Sequence, residues 1–585
     1  MNFILRKFHK GIITMSLIIL TFSVTKAQNY PQNYFRNPVD IPITLSGSFG
    51  ELRFNHFHSG FDIRTNGAEG MPVYAAADGW ISRIRVQGYN YGNALHICHP
   101  NGFTTLYGHM QRFSDEINNF VKKEQYRTQS FEQDIHPDAE KFHVKKGQLI
   151  GYSGNSGASR APHLHFEIRE TITEACINPM LFMKGMVKDI YPPVIKSIKI
   201  YPLDSHSFIC VYTKSGRKDA IYGQGIIIDV QHQKHGHFVL SGVSKIEGRG
   251  TIGFAIRAVD HYSDFESTLA PFKVQLFADH KNIFTQQLAK VEFYKQNYIN
   301  AHTDYPEFVK FNRWFERSYC LPHDSLDIYV HMENKGRLFI SKDKINMSYV
   351  VKDLNDSAAN LDFIIHHADE ASLHPKKQKN FDTIFNYRNI NSFSNANFKL
   401  KMQAYSLYDN MGFSFKVLPK KTKMYSDIYH VDDAYTPFAK DCDISINASS
   451  LPQHLRDKVC VMNDMRGYIG GVYAHDWVSA SAKALGDFYL MVDTTAPSIH
   501  PVNISNGAHL GGKKAIIFTI SDNLSGIKSF RATIDGHWIL LKCDLKKLKY
   551  WYDFDEYCSN GSHIIELSVT DQRNNTRTES WKFNR

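Results

Sequence analysis

The chain of 585 residues is too long for one hydrophobic core, so we expect three to five domains. Its contents of hydrophobic residues (43%) and charged residues (22%) are ordinary for folded proteins and exclude disorder on a large scale. The formal net charge is +10, but the basic residues form no dense stripe, so we expect no nucleic acid as a partner.

The first 27 residues have the pattern of a secretory signal peptide. Three basic residues precede an apolar run over residues 12–24, which is short for a membrane span. Small residues at Thr25-Lys26-Ala27 suit cleavage, and an uncleaved anchor is the alternative. Removal of residues 1–27 takes four positive charges and leaves +6. We expect an exported protein of the periplasm, cell envelope or extracellular space, with no membrane span after signal removal.

Residues 28–185 are predicted to form the first folded domain. Short apolar runs between Gly and Asn residues indicate β-strands joined by turns. Residues 111–143 interrupt this pattern because they are polar and charged, with apolar residues at wider spacing. We predict a helical insertion there, which could form a lid or a groove wall, or could cover a site until a partner moves it.

The remaining two thirds of the chain is predicted to be mostly β. Asp189-Ile-Tyr-Pro-Pro-Val-Ile195 and Asp493-Thr-Thr-Ala-Pro-Ser-Ile499 open two similar runs of alternating strands. Each run has the length of an immunoglobulin-like sandwich, so we assign one to 189–298 and one to 493–585. Residues 299–490 are predicted to be β-rich, with one or two domains. The tail carries no catalytic motif, and we expect a structural stalk, a spacer, an attachment to the cell wall or a docking surface for envelope proteins.

The eight cysteines are widely spread and form no C-x-x-C pair, so a thiolate zinc site is not supported. Cys442 and Cys460, and likewise Cys543 and Cys558, are close enough in sequence to form disulfides in an oxidising compartment. The sequence does not decide whether they do.

Four short motifs in the first domain carry the chemistry of the chain. They are His58-Ser-Gly-Phe-Asp62, Tyr107-Gly-His109-Met110, Gly151-Tyr-Ser-Gly-Asn-Ser-Gly157 and His163-Leu-His165-Phe-Glu167. Side chains at i and i+2 of a strand share a face, so the last motif presents two imidazoles together. Gly60 allows a tight turn between His58 and Asp62, with apolar neighbours behind them. Imidazole and carboxylate are both zinc ligands, and three such ligands with one open position make a catalytic site.

These motifs, in this order over about residues 45–175, resemble the lysostaphin-type, or LytM-like, zinc endopeptidases that cut peptide cross-links of peptidoglycan. The resemblance implies one zinc ion per chain, bound by His58, Asp62 and His165. It also implies His109 and His163 as the catalytic pair outside the metal shell. Which of the two acts as base and which stabilises the oxyanion stays open.

The predicted fold class is therefore mostly β. It consists of a LytM-like antiparallel β catalytic domain over 28–185, followed by several immunoglobulin-like β-sandwich domains.

The implied function is a secreted zinc metalloendopeptidase with peptidoglycan as substrate. In a Gram-negative envelope the activity would be that of a DD-endopeptidase in cell-wall remodelling. Two alternatives remain: a non-catalytic scaffold that binds the wall or activates an amidase, and a peptidase acting on other peptides such as glycine-rich proteins.

Several nearby residues receive structural interpretations. Tyr107 is expected either to pack near the metal or to hydrogen-bond substrate, and Glu167 either faces away or supports a ligand. The remaining residues are interpreted as bystanders, packed histidines or turn residues: His56, His96, His99, His143, Asn93 and Ser156.

Overall fold

The computed structural model describes residues 30–189, 191–213, 216–217, 221, 223–261, 269–368 and 381–585. The predicted signal peptide lies outside the described residues. Strands dominate, with 49% strand against 8% helix, which confirms the mostly β fold class. Within the described part of the chain, no helix is both long and apolar enough to cross a membrane.

The first domain is built on one large antiparallel sheet whose hydrophobic core extends from Phe35 to Val187. It contains the helix Asp115–Thr128 and the 3-10 helix Pro179–Leu181. Its strands are Leu45–Gly47, Leu52–Arg53, His56–Phe57, Phe61–Arg64, Pro72–Tyr74, Gly79–Val86, Asn93–Cys98, Phe103–Met110, Arg112–Phe113, Gln133–Ile135, His143–Val144, Leu149–Tyr152, His163–Glu170 and Cys176–Ile177.

The site strands lie side by side in this sheet. Strand His163–Glu170 pairs with Phe61–Arg64 on one side and with Phe103–Met110 on the other. The predicted apolar neighbours Phe61 and Ile63 are fully buried. Alternation along these strands therefore sends apolar side chains into the core and leaves the imidazoles on the other face.

The insertion at 111–143 contains the predicted helix, Asp115–Thr128. Ile117 and Val121, four residues apart, are buried on the face that packs against the domain core. The other side of the helix contacts the C-terminal sandwich. The Tyr126 ring stacks on Tyr557 at 4.0 Å, and its hydroxyl donates to Asp555 Oδ2 at 2.6 Å. The insertion is thus held between two domains.

Residues 194–367 form a second unit with its own core. It contains the helices Ile299–His302 and Tyr305–Phe311 and the 3-10 helices Phe293–Tyr298 and Asn334–Gly336. Its strands are Val194–Pro202, Phe208–Thr213, Gly216–Arg217, Ile226–Lys234, His237–Leu240, Val243–Val259, Lys273–Ala278, Lys281–Gln287, Lys290–Val291, Glu316–Arg317, Tyr329–Met332, Leu338–Ile340, Lys344–Lys352 and Ala358–His367.

The predicted boundary at 298/299 falls inside this unit. Strands Lys273–Ala278 and Lys344–Lys352, from either side of the boundary, pair along their length in one 13-stranded sheet. In addition, Lys290–Val291 pairs with Cys176–Ile177 and so joins the sheet of the first domain. Pairings between such distant segments leave no local signal in the sequence, so the sequence pattern does not locate this domain boundary.

Two sandwiches follow, each around its own core. Among the described residues, the third unit has two five-stranded sheets and one two-stranded sheet, and the last has a four-stranded and a five-stranded sheet. The strands of the third unit are Thr383–Phe385, Asn391–Ser394, Phe398–Met402, Met411–Phe413, Phe415–Leu418, Ile428–Val431, Cys442–Asn447, Val459–Asn463, Gly467–Tyr468, Val472–Ala474, Trp477–Ala482 and Gly486–Val492. Those of the last are Ser498–Pro501, Ala508–His509, Ala515–Ser521, Ile527–Ile534, His537–Trp538, Lys542–Asp544, Lys549–Asp553, Ser562–Asp571 and Thr576–Asn584. Single turns of 3-10 helix occur at Gln453–Leu455 and Leu545–Lys547. The immunoglobulin-like assignment of the tail stays a prediction.

Among the described residues, no disulfide joins either of the two cysteine pairs considered above. Cys442 and Cys460 lie on strands of different sheets in the third unit. The Cys442 thiol contacts the Ala482 carbonyl instead, and the Cys460 thiol contacts the Met491 carbonyl.

Candidate metal and catalytic site

Three of the predicted site residues converge on one point of the first sheet. Asp62 and His165 are directly opposite each other on paired strands, and His58 follows the short strand His56–Phe57. Their donor atoms are mutually close. His58 Nε2 lies 3.0 Å from Asp62 Oδ1 and 3.1 Å from His165 Nδ1. Asp62 Oδ1 and His165 Nδ1 are 2.9 Å apart. All three side chains are buried.

This donor set suits zinc. Ligands about 2.0–2.1 Å from a tetrahedral ion lie about 3.3 Å from one another, close to the spacing found here. Two nitrogens and one carboxylate oxygen are ordinary zinc donors, and the fourth direction is left for water or substrate. Among the described residues, these three are one of two groups whose donor atoms are close enough to share a metal ion.

The hydrogen bonds of the two imidazoles leave the correct nitrogens available. His58 Nδ1 lies 2.7 Å from the Ser48 carbonyl, so it carries the proton and Nε2 is the donor to a metal. His165 Nε2 lies 2.8 Å from Glu167 Oε1, which leaves Nδ1 for the metal. Glu167 therefore supports a ligand, one of the two roles expected for it, as carboxylates commonly do for metal-bound histidines.

The charges around the ligands are strongly coupled. Burial alone would raise the pKa of Asp62, but His58 and hydrogen bonds from His163 and His165 hold this pKa well below its usual range. Burial would lower the pKa of His165, but hydrogen bonds with Asp62 and Glu167 raise it to about 9. A metal ion must displace the proton of His165, so metal binding should release protons.

The predicted catalytic pair lies beside the metal ligands. The rings of His109 and His163 are 4.9 Å apart, and His163 Nε2 lies 3.2 Å from Asp62 Oδ1. His109 Nδ1 donates to the Ser156 carbonyl at 2.8 Å, and His163 Nδ1 contacts the Ala161 carbonyl at 2.8 Å. Each ring is thus fixed through Nδ1. The Nε2 of His109 is left for proton chemistry, whereas the Nε2 of His163 faces the Asp62 carboxylate.

His109 occupies an unusual backbone conformation, with φ of +58° in the left-handed region. Such conformations in residues other than glycine are uncommon and are concentrated at functional sites. Burial, together with the charges of His165 and His163, lowers the pKa of His109 to about 3. His109 is therefore a neutral imidazole near pH 7, able to accept a proton or a hydrogen bond.

Gly60 is required for a reason other than the predicted tight turn. A Cβ added at this position would lie 2.1 Å from the Phe166 carbonyl oxygen and 2.8 Å from Glu167 Cγ. The strand that carries His165 passes directly over the glycine. Only the absence of a side chain allows the His58–Asp62 segment to approach that strand closely.

Tyr107 has neither of the roles considered for it. Its ring is fully buried, and its hydroxyl accepts from the Ala76 amide at 2.8 Å and from Thr105 Oγ1 at 3.0 Å. Because His109 follows two residues later on the same strand but is displaced by its left-handed backbone, the alternation of the strand does not bring Tyr107 to the site.

The other interpretations fit the contacts found. Asn93 and Ser156 bond backbone groups near Met110 and position the hairpin. His99 bridges the Asp78 carbonyl and Thr105. The remaining three histidines are His56, which bonds the Phe54 carbonyl; His96, which is buried; and His143, which is exposed.

Sequence reasoning missed Tyr91. Its hydroxyl donates to Glu167 Oε1 at 2.7 Å, and its ring lies 5.3 Å from that of His165. Arg169 Nε adds a bond to Glu167 Oε2 at 2.6 Å. Glu167 is therefore held from both sides while it bonds His165. Because Tyr91 lies 74 positions before His165, no spacing pattern links them.

The tail provides a wall of the groove that holds the site. The groove has a volume of about 1470 Å³ and is lined by the metal ligands together with Phe293, Gln296, Phe308 and Trp314 from the second unit. Gln296 Nε2 donates to Ser59 Oγ at 2.8 Å, next to His58. The Phe308 and Trp314 rings stack at 3.6 Å. The stalk expected from the sequence thus shapes the site.

The last sandwich also reaches the site, through Lys546. Its Nζ donates to the carbonyls of Asn155, Gly157 and Ser159 in the glycine hairpin. Ser156 of the same hairpin holds His109. His109, one of the predicted catalytic pair, is thereby supported from a residue far along the chain.

Comparison with known proteins gives matches for two regions. The profile of Peptidase family M23 matches residues 56–130 and 133–179, which contain all five predicted site residues, and that of the Zu5-like domain matches 382–493. The DD-carboxypeptidase/endopeptidase Mpg of Neisseria meningitidis serogroup B is 35% identical over 123 residues, 21% of this chain and 22% of that protein.

Peptidoglycan DD-endopeptidase ShyA of Vibrio cholerae serotype O1 is 32% identical over 139 residues, 23% of this chain and 26% of that protein. The crystallised catalytic domain of lysostaphin from Staphylococcus simulans is 24% identical, with 23% of this chain and 86% of that chain covered and a TM-score of 0.17. The matched part spans about a quarter or less of the two full-length relatives. Through residues 56–179, the chain carries a domain of peptidase family M23, the LytM-type family that includes lysostaphin.

Proposed function

We propose that this protein is an exported zinc metalloendopeptidase that hydrolyses peptide cross-links of bacterial peptidoglycan, with DD-endopeptidase activity in cell-wall remodelling. The observation that carries the proposal is the intact His58–Asp62–His165 cluster with His109 and His163 beside it. The named activities of the similar proteins, Mpg and ShyA, support the choice of substrate. The signal peptide pattern supports export to the periplasm or cell envelope.

The protein's own groups divide the reaction between them. Zinc, when bound, would polarise the scissile carbonyl and make a water more acidic. His109, neutral and fixed through Nδ1, presents Nε2 as a proton acceptor. His163, whose Nδ1–H bonds the Ala161 carbonyl, can donate a proton from Nε2 to a developing oxyanion or to the leaving amine when the ring is in its imidazolium form. The three ligands are buried, and charges interact more strongly in such surroundings than in water.

The test uses the mature chain from Gln28 and cross-linked peptidoglycan with and without a zinc chelator. We expect the wild type to contain one zinc and to convert cross-linked dimers to monomers, as read by mass spectrometry. His58→Ala and Asp62→Ala should lose both zinc and activity. His163→Ala should keep zinc and lose about 100-fold or more in kcat, because general acid–base catalysis contributes about that much.

A non-catalytic scaffold would hydrolyse no cross-linked substrate in this test. Zinc binding without hydrolysis of any cross-linked substrate, or full hydrolysis by Asp62→Ala, would overturn the proposal. His56→Ala serves as the matched control, because His56 is an exposed imidazole at the same groove that bonds only the Phe54 carbonyl among the contacts described.

A further inference from the structure

The groove around the metal site has an unbalanced charge. Its described lining residues include the side chains of Arg53, Arg64, Arg85 and Arg160, whereas Asp62 is their only carboxylate. Asp62 is assigned to the metal, so its negative charge does not neutralise the arginines. The bound zinc ion would add further positive charge. A groove of this kind attracts anionic ligands and repels cationic ones.

Two of these arginines lie close to His163, beside the metal site. Arg64 lies two residues after Asp62 and directly opposite His163 in the strand register. Arg160 belongs to the loop between the glycine hairpin and His163 and also lines the groove. An extended peptide whose carbonyl reaches the metal site would therefore pass close to these two residues.

The arginines differ in how far their charge is already compensated. Arg53 pairs with Glu51 at 2.7 Å and with Asp62 at 3.3 Å. Arg85 lies 3.9 Å from Asp134 and bonds Gln87. Arg160 is exposed and makes no ion pair with a carboxylate in any of the described stretches. Arg160 is therefore the guanidinium best placed to bind a carboxylate of the substrate.

We propose that the groove selects acidic peptides: cross-linked peptides with free carboxylates beside the scissile bond are bound, with Arg160 as a positioning residue. Neutral peptides, such as glycine bridges or amidated stems, bind more weakly. This inference rests on the proposed function and specifies its substrate class. It distinguishes this site from one for glycine-rich proteins, which bring no carboxylate to the arginines.

The test compares two cross-linked dimers that differ only in whether the carboxylates beside the cross-link are free or amidated. With the zinc-loaded full chain, we expect kcat/KM to be about tenfold higher for the free acid, since a charge-assisted bond contributes about 1.5 kcal/mol. Arg160→Gln should raise KM for the free acid about threefold to tenfold, leave kcat unchanged, and leave KM for the amidated dimer unchanged. Arg160→Lys should recover part of the loss.

The matched control is Arg531→Gln, which removes an exposed arginine on the last sandwich and should change nothing. The affinities of both dimers are also measured by calorimetry in the inert His163→Ala background, so that selectivity is tested even without turnover. If neither dimer is cleaved, the proposed function is contradicted but the selectivity is not. Equal affinity of the two dimers, or an Arg160→Gln change of the same size for both, overturns the selectivity.

Discussion

At the scale of single residues, Glu167 determines which nitrogen His165 offers to a metal. Glu167→Gln keeps the size of the side chain but removes the charge that fixes the tautomer. We expect zinc affinity to fall about tenfold to 100-fold, as is usual for partners of metal-bound histidines. Competition with a chromogenic chelator measures the zinc affinity. Glu140→Gln, an exposed acid on the insertion, should bind zinc as the wild type does, and equal affinity of both variants would contradict this role.

Residue chemistry was the most predictable part of the molecule. The spacing of His163 and His165 on a strand, and the short separation of His58 from Asp62, led to side chains that the structure brings together. The left-handed backbone of His109 was not predictable, because a histidine carries no sign of its φ angle. The support from Tyr91 was not predictable either, since Tyr91 lies in a turn that only the folded sheet brings close to Glu167.

At the scale of elements, the segment 293–314 is a groove wall whose effect on substrate can be measured. Trp314→Ala removes the indole that stacks on Phe308. We expect KM for peptidoglycan fragments to rise about threefold to tenfold, because one aromatic contact contributes about 0.5–1.5 kcal/mol. Zinc content should not change. Trp477→Ala, on the remote third unit, is the control, and an unchanged KM in Trp314→Ala would exclude this wall from substrate binding.

The second unit should respond to pH through Asp260. Burial and the charge of Asp189 raise the pKa of Asp260 to about 8, so the folded chain retains a proton that the unfolded chain releases near pH 4. The resulting stability is complete below about pH 4 and is lost as pH rises toward 8.

Asp260→Asn replaces this proton-dependent group with a neutral one. We expect its free energy of unfolding to exceed that of the wild type by about 5 kcal/mol at about pH 9, and the two to be similar at about pH 4, since the pKa rises from about 4 to about 8 on folding. Urea denaturation followed at both pH values measures the difference. Asp362→Asn, at an exposed position of the same unit, should follow the wild type, and a parallel decline of Asp260→Asn would refute the assignment.

Elements were predictable where they depend on local sequence. The polar stretch 111–143 indicated a helix, and the helix Asp115–Thr128 is there. The helices at 299–311 were missed, since they are short and interrupt a region whose pattern is otherwise β. Their position beside the groove depends on the pairing of Lys290–Val291 with the first sheet, and no local pattern encodes that pairing.

At the scale of the whole molecule, the first and last domains are held together through the insertion helix. Tyr126→Ala removes the stack on Tyr557, the edge contact with Trp538 at 5.1 Å and the bond to Asp555. We expect a loss of about 2–4 kcal/mol in the stability of this contact. Faster amide exchange in residues 115–128 measures it. Tyr425→Ala, which truncates an exposed tyrosine elsewhere, should leave this exchange unchanged.

The contact between Lys546 and the glycine hairpin has a consequence for the order in which the protein becomes competent. Lys546 is made 391 positions after Asn155, which corresponds to roughly 20 to 80 seconds of synthesis. During that interval the metal ligands already exist, but the hairpin beside His109 lacks its distal support. A chain terminated before residue 546 never acquires that support. The hairpin beside His109 is therefore fully supported only in chains whose synthesis has passed Lys546.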